Sequence, residues 1–344
     1  MSEATQVNPT LLAEIVEKCM LAGKPLLIEG SPGVGKTHIV SGVAEKAGFE
    51  ICIEYTSMSD PTDPKGLPFA SADHSRAELL PIGVMAKIFD ATTPILLFLD
   101  DLGNAIPAVQ TAYMHNIYGR KIGDRQIPDC VSVMAATNRI SDKSHVHALG
   151  EALKSRFHSI VELVTTADDF IKYAQGKPKT FSDRDISFIR NRPSLLHDFT
   201  PTKDLTNSPC PRSWEFTAEF FRMYEPELPP MQLIAGAIGE GAAAERLGFE
   251  RIYSQLPSRK EILENPEGAP VPDDPAIRYA LCGMLASKTT KKNAADVFKY
   301  FERLGPEFAV VAVKDAIGYN PGLVGTKVFR DKWLKENPEI LMEG

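Results

Sequence analysis

The spacing of apolar positions changes character near residue 166. Before it, short apolar runs alternate with stretches of helical period; after it, only helical periods remain. Thr10 to Ala22 carries Leu11, Leu12, Ile15, Val16 and Met20 at helical spacing, which predicts an amphipathic helix closed by Gly23-Lys24-Pro25. Leu26-Leu27-Ile28-Glu29 reads as a short apolar strand, and His38 to Lys46 as a helix with Ile39, Val40, Val43 and Ala44 on one side. Phe49 to Tyr55 alternates and is rich in β-formers, a second strand. Ser59 to Pro68 holds Pro61, Pro64 and Pro68 and is irregular, and Ala77 to Asp90 returns to a helical or mixed pattern. Ile95 to Asp101 is an apolar run closed by two carboxylates, the pattern of a central buried strand with acids at its C-terminal edge. A helix over Pro107 to Tyr118, a hairpin over Arg120 to Pro128 with a Gly-Asp turn, and a buried strand over Val131 to Ala136 follow. Ala148 to Phe157 reads as a short helix and Ser159 to Val164 as the last strand.

Beyond Thr166, helices are expected over Asp168 to Gln175, Ile186 to Asp198 with a break or kink at Pro193, Trp214 to Tyr224, and an Ala/Gly-rich run from Met231 to Leu247. Pro270 to Asp274 is a linker or loop, and helices follow over Ala276 to Ser287, Asn293 to Leu304 and Glu307 to Asp315. A chain of 344 residues exceeds one ordinary core. The expected organisation is an α/β nucleotide-binding domain with a mostly parallel sheet over residues 1–166. An all-helical lid with a C-terminal helical extension fills 167–344.

One stretch changes the picture from fold to chemistry. Gly30-Ser31-Pro32-Gly33-Val34-Gly35-Lys36-Thr37, followed by His38, has the spacing of a phosphate-binding loop and sits between a predicted strand and a predicted helix. Glycines let several N–H groups point inward around a phosphate, and the helix N-terminus adds partial positive charge. Lys36 would sit against the β- and γ-phosphates of ATP, and Thr37 would hold Mg²⁺. At the strand end downstream, Asp100 would orient Mg²⁺ through water and Asp101 would polarise the attacking water. Asn138, ending another buried strand, could reach the γ-phosphate and that water.

Other signals subtract. Net charge is −7, which argues against a general nucleic-acid coat. No apolar run approaches membrane-spanning length, and no secretion signal stands at the N-terminus. The five cysteines, Cys19, Cys52, Cys130, Cys210 and Cys282, lack metal-site spacing and suit a reducing, cytoplasmic setting. His145 and His147 form a His-x-His pair with no third ligand nearby and read as loop residues.

With these elements placed, the chain resembles an AAA+ ATPase, in particular the MoxR and dynein-related branch. Gly30 to Thr37 looks like Walker A and Ile95 to Asp101 like Walker B. Asn138 sits at the family's sensor 1, Arg156 in Lys-Ser-Arg-Phe at its arginine finger, and Arg212 in Cys-Pro-Arg-Ser-Trp at its sensor 2. The stretch around Asp63 to Gly66 and the hairpin near Arg120 to Pro128 are similar to that branch's inserts. The family has Glu after the Walker B Asp; here Asp101 stands there, one bond shorter. The resemblance implies sheet order 5-1-4-3-2, Mg²⁺-dependent ATP hydrolysis, a hexameric ring that remodels a protein partner, and often a partner with a von Willebrand factor A domain. It also implies that Arg156 reaches a neighbour's nucleotide, with Arg139 second in line for that role. An ATP-gated binding protein with slow turnover and a nucleic-acid-associated motor stay open beside it.

Overall fold

The computed structural model describes residues 5–142, 146–199, 205–253 and 256–336. His145 lies outside them. The chain forms two compact units, Met1–Thr165 and Thr166–Gly344.

The first unit opens on a strand that the pattern did not announce, β1 (Thr5–Val7). Then come α1 (Pro9–Leu21), β2 (Leu26–Glu29), α2 (Lys36–Lys46) and β3 (Glu50–Tyr55). Ala77 to Asp90 is not one helical stretch. The chain folds there into an antiparallel hairpin, β4 (Leu67–Ala70) with β5 (Ala77–Leu80), before a short helix α3 (Gly83–Phe89). β6 (Ile95–Asp100), α4 (Pro107–Ile117), the small hairpin β7 (Lys121–Ile122) and β8 (Arg125–Gln126), and β9 (Val131–Thr137) fall where the pattern puts them. The helix expected over Ala148 to Phe157 shrinks to one turn, α5 (Glu151–Lys154), because Gly150 in extended conformation starts it late. β10 (Ser159–Leu163) closes the unit.

The main sheet has six strands in the order β1-β10-β2-β9-β6-β3, all parallel. Without β1, and numbered by position in the chain, its strands run 5-1-4-3-2. Alternation sorts each strand's side chains to two faces. Leu26, Ile28, Leu96, Phe98, Met134 and Ala136 pack under α1 and α2, while Leu27, Leu97, Leu99, Val133 and Ala135 pack with α3 and α4. Both faces are covered, so the strands read as continuous apolar runs.

The second unit is all helical: α6 (Ala167–Gln175), α7 (Asp183–Asn191), α8 (Pro211–Tyr224), α9 (Met231–Ile238), α10 (Glu240–Tyr253), α11 (Arg259–Glu264), α12 (Pro275–Ala286), α13 (Ala294–Arg303) and α14 (Pro306–Tyr319). The expected helix over Met231 to Leu247 is two helices, because Gly239 takes φ 79° and ends the first. The helix breaks before Pro193, which starts a separate 3₁₀ turn, so of the two expected outcomes the break is found. Two cores form, one around Phe188, Trp214 and Phe249, the other around Phe298, Phe301 and Trp333.

Candidate functional site

The candidate site is built at the C-terminal ends of β2, β6 and β9, the edge of an open α/β sheet where ligands bind. After β2 the chain turns through Gly30 to Gly35 and enters α2 at Lys36. Gly35 precedes the helix with φ 102°, a conformation that a side chain would strain, and this turns the backbone into the helix N-terminus. Ser31 and Val34 are buried, and His38 is exposed on the first turn of α2.

Lys36 is only 7% exposed. Its ammonium donates to the Gly30 carbonyl at 2.7 Å, the Ser31 carbonyl at 3.1 Å and Asn138 Oδ1 at 2.8 Å. Three acceptors compensate the cost of burying the charge. Beside it Thr37 donates from Oγ1 to Asp100 Oδ2 at 2.7 Å. That places two hard oxygens together, the donor chemistry a Mg²⁺ site uses, and Thr37 and Asp100 are the residues here that fit the ion. Asp100 is also fixed through its backbone: Thr56 Oγ1 donates to its carbonyl at 2.9 Å, and its own Oδ1 accepts from the Asp101 N–H at 3.0 Å.

Asp101 has φ 55° and ψ 37°, a left-handed turn directly after the strand. The turn carries its carboxylate to Asn138, whose Nδ2 donates to Asp101 Oδ1 at 3.0 Å and to Asn104 Oδ1 at 3.2 Å. Gly103 permits this approach, since a Cβ there would lie 2.2 Å from Thr137 Oγ1. Asn138 therefore spends its carbonyl on Lys36 and both amide hydrogens on Asp101 and Asn104. Lys36, Thr37, Asp100, Asp101 and Asn138 thus form one neighbourhood.

The first unit's Arg139 and Arg156 do not join it. Arg156 follows α5 and its guanidinium donates to the Ala152 carbonyl of its own turn. Arg212 is exposed on the first turn of α8 in the second unit, with no hydrogen bond or ion pair among the described residues. Arg139 is engaged within its own unit: its guanidinium donates to Asp142, with Nη2–Oδ1 at 2.9 Å, and to Glu162 Oε1 at 3.2 Å. Hydrogen bonding to Asp142 pushes the Arg139 pKa further up. Next to this cluster, burial and the neighbouring Glu162 raise the Glu29 carboxyl.

Sequence reasoning missed Asn104, Thr56 and the Asp142–Glu162 pair around Arg139. Asn104 lies three residues past the acidic pair and could be found by asking what the strand-end amide bonds. Thr56 and Glu162 are brought in only by strand register.

Residues 26–164 match the family described as ATPase family associated with various cellular activities (AAA). The first unit thus carries an AAA-type nucleotide-binding domain with a P-loop fold. No curated protein matches the chain. Among solved structures, the chain is similar to the RuvB Holliday junction branch migration motor of Thermotoga maritima, at 16% identity and TM-score 0.40, covering 76% of this chain and 77% of that one. A mutant of that protein gives 18% identity and TM-score 0.42, with the same shares. NtrX from Brucella abortus in complex with ADP gives 12% identity and TM-score 0.43, covering 96% of this chain and 68% of that one. The five cysteines are free, and no described helix is long and apolar enough to cross a membrane.

Proposed function

We propose that the chain is a Mg²⁺-dependent AAA+ ATPase of the MoxR-like and dynein-related branch, which forms a hexameric ring and couples hydrolysis to remodelling of a protein partner. One observation carries the reading: Asn138 joins the phosphate-loop lysine to the acid beside the Mg²⁺-type pair Thr37–Asp100. A phosphate loop used only as a turn has no need of that link.

Each residue then has a task. Lys36 exchanges its bonds to Gly30 and Ser31 carbonyls for phosphate oxygens, which it holds with the backbone N–H groups of residues 31–37. Thr37 and Asp100 hold Mg²⁺, which when bound neutralises charge on the phosphates. Asp101 accepts the proton of the attacking water while Asn138 orients that water, so catalysis is positioning and electrostatics rather than covalent chemistry. Arg156 serves the site of the next subunit, and Arg212 reports nucleotide within its own chain. The hairpin β4–β5 exposes Leu67, Phe69, Leu79 and Leu80 and, with β7–β8, is assigned to the partner, in which a von Willebrand factor A domain is one candidate class.

A second reading, an ATP-gated binding protein with very slow turnover, draws on Asp101, whose shorter side chain stands where the family has Glu. A nucleic-acid motor has only the fold in its favour. The test is Lys36→Ala in the purified chain. ATP binding and hydrolysis are expected to disappear with the circular dichroism spectrum unchanged, and retained hydrolysis would remove the assignment.

A further inference from the structure

The C-terminal ends of β2, β9 and β10 stand level in the sheet: Glu29 is in register with Thr137 on one side and with Glu162 on the other. The ends of β2 and β9 lead into the candidate site. Glu29 precedes Gly30, and Thr137 precedes Asn138. Arg139 spans this edge. Its Nε donates to both Asp142 oxygens at 3.2 and 3.1 Å, its Nη2 to Asp142 Oδ1 at 2.9 Å, and its Nη1 to Glu162 Oε1 at 3.2 Å. The acids it grips are buried, Asp142 at 5% exposure and Glu162 at 7%. Gln6 on β1 donates to the other oxygen of Glu162 at 3.2 Å.

The peptide bearing Asn138 is therefore held from both sides. On one side Thr137 belongs to β9, and its carbonyl accepts from the Gly30 N–H at 3.2 Å. On the other, Arg139 is tied to β10 and to Asp142, and the Asp142 N–H closes the turn on the Arg139 carbonyl at 3.2 Å. The side chain in between bonds Lys36 through its carbonyl and Asp101 and Asn104 through its amide. An amide with that many fixed partners works only if its Cα stays in place.

We propose that Arg139 is a positioning residue acting within its own subunit: clamped to Asp142 and Glu162, it fixes the strand end that aims Asn138 at Lys36 and Asp101. The proposal rests on the reading of Asn138 as part of the hydrolytic site. It also assigns Arg139 away from a neighbour's phosphate, because both faces of its fork are committed to acids of its own unit. A lysine would keep the charge and lose the fork. Asp142 in the turn and Glu162 on β10 would then share one point donor, and the turn after Asn138 would loosen. Misplacement on the order of 1 Å at a reacting centre costs roughly a hundredfold in rate.

The experiment is steady-state ATP hydrolysis by the full chain, with nucleotide affinity and thermal midpoint measured alongside, for Arg139→Lys, Glu162→Gln and Asn138→Ala. Arg139→Lys and Glu162→Gln are expected to lower kcat on the order of 10- to 100-fold with KM for ATP within about twofold, since the interaction they disturb acts on the transition state. Glu162→Gln keeps the volume of the buried site and stands in if Arg139→Lys fails to fold. Wild-type kcat in both, while Asn138→Ala is slow, would overturn the clamp and leave the site reading standing. Wild-type kcat in Asn138→Ala would overturn the site reading, and the clamp with it. Recovery of Arg139→Lys activity on mixing with Lys36→Ala subunits would also overturn the clamp, because it would place Arg139 at a neighbour's nucleotide.

Discussion

Asp101 shows how one residue can depart from a pattern for a local reason. Its backbone is left-handed, a region that Asp and Asn tolerate because their short side chains bond locally, and that costs other residues about 1–2 kcal/mol. A longer acid would meet that strain at the same place. The carboxylate reaches Asn138 at 3.0 Å through the turn rather than through length. Asp101→Asn keeps the shape and the turn but removes the base. It should bind ATP as the parent does, measured by equilibrium titration, and release no phosphate above background; continued turnover would give the role to another group. Glu29 supports a prediction of another kind. Its carboxyl is raised by burial first and by Glu162 second, so the folded state holds its proton to higher pH than the unfolded chain does. Its stabilising contribution is thus complete below about pH 4.3, the unfolded value, and is lost as pH rises through the folded value. Glu29→Gln should therefore raise the thermal midpoint at pH 7, with the gain shrinking as pH falls toward 4; an equal gain at both would remove Glu29 as the cause. Gly30 to Thr37 was legible because its chemistry is local and its spacing fixed. Thr56, Glu162 and the bonds that join Asn138 to Lys36 and Asp101 were not, since each is delivered by the register of strands distant in sequence.

Among the elements, those with a clear period and a clear stop were readable, and the misses share a cause. The hairpin β4–β5 exposes most of its side chains on both faces, so no alternation marks it as strand. It is held by its surroundings instead: Asn116 of α4 donates to the Pro64 carbonyl at 3.1 Å and to the Lys121 carbonyl at 2.8 Å, tying the first insert to the second. In the helical unit, α7 is organised by Asp185. One of its oxygens completes a capping box with Ser182, and the other accepts from Arg246 at 2.7 Å. Arg246 is 1% exposed, donates to Glu250 at 2.6 Å, and lies 4.1 Å from the centre of the Phe221 ring. Nothing in the periodicity of α10 distinguishes this arginine from a surface one. Replacing it leaves the buried Asp185 without its counter-charge, while Glu250 keeps its pair with Arg184, and breaking such a buried pair costs about 3–5 kcal/mol. Arg246→Leu should shift the urea midpoint of the second unit accordingly. Tryptophan fluorescence isolates that transition, because the chain's only two tryptophans, Trp214 and Trp333, both lie in that unit's cores. An unmoved midpoint would mean that Asp185 and Glu250 are satisfied without it.

For the molecule as a whole, each unit has cores of its own, and the candidate site as far as the first unit builds it contains a lysine, two acids and an amide but, among the described residues of that unit, no guanidinium bonded to them. Phosphoryl transfer places charge on oxygens that such a set only partly neutralises. Arg139 is committed to Asp142 and Glu162, which leaves Arg156 as the candidate to complete the site from a neighbouring subunit. It is half-buried after α5, and among the described residues its guanidinium bonds the carbonyl of Ala152, an interaction weak enough to exchange for a phosphate. A heterologous contact that repeats this relation closes into a ring when its rotation permits. Arg156→Ala should then bind ATP near normally and lose turnover by roughly 10³–10⁵-fold, the range an arginine supplied in trans is worth. Mixing Arg156→Ala with Lys36→Ala subunits should restore part of the activity. Some interfaces in the mixed assembly would pair an intact phosphate loop with an intact Arg156, whereas neither parent has such a pair. Activity that stays full when the chain is diluted to monomers, as followed by light scattering, would show that one subunit completes its own site.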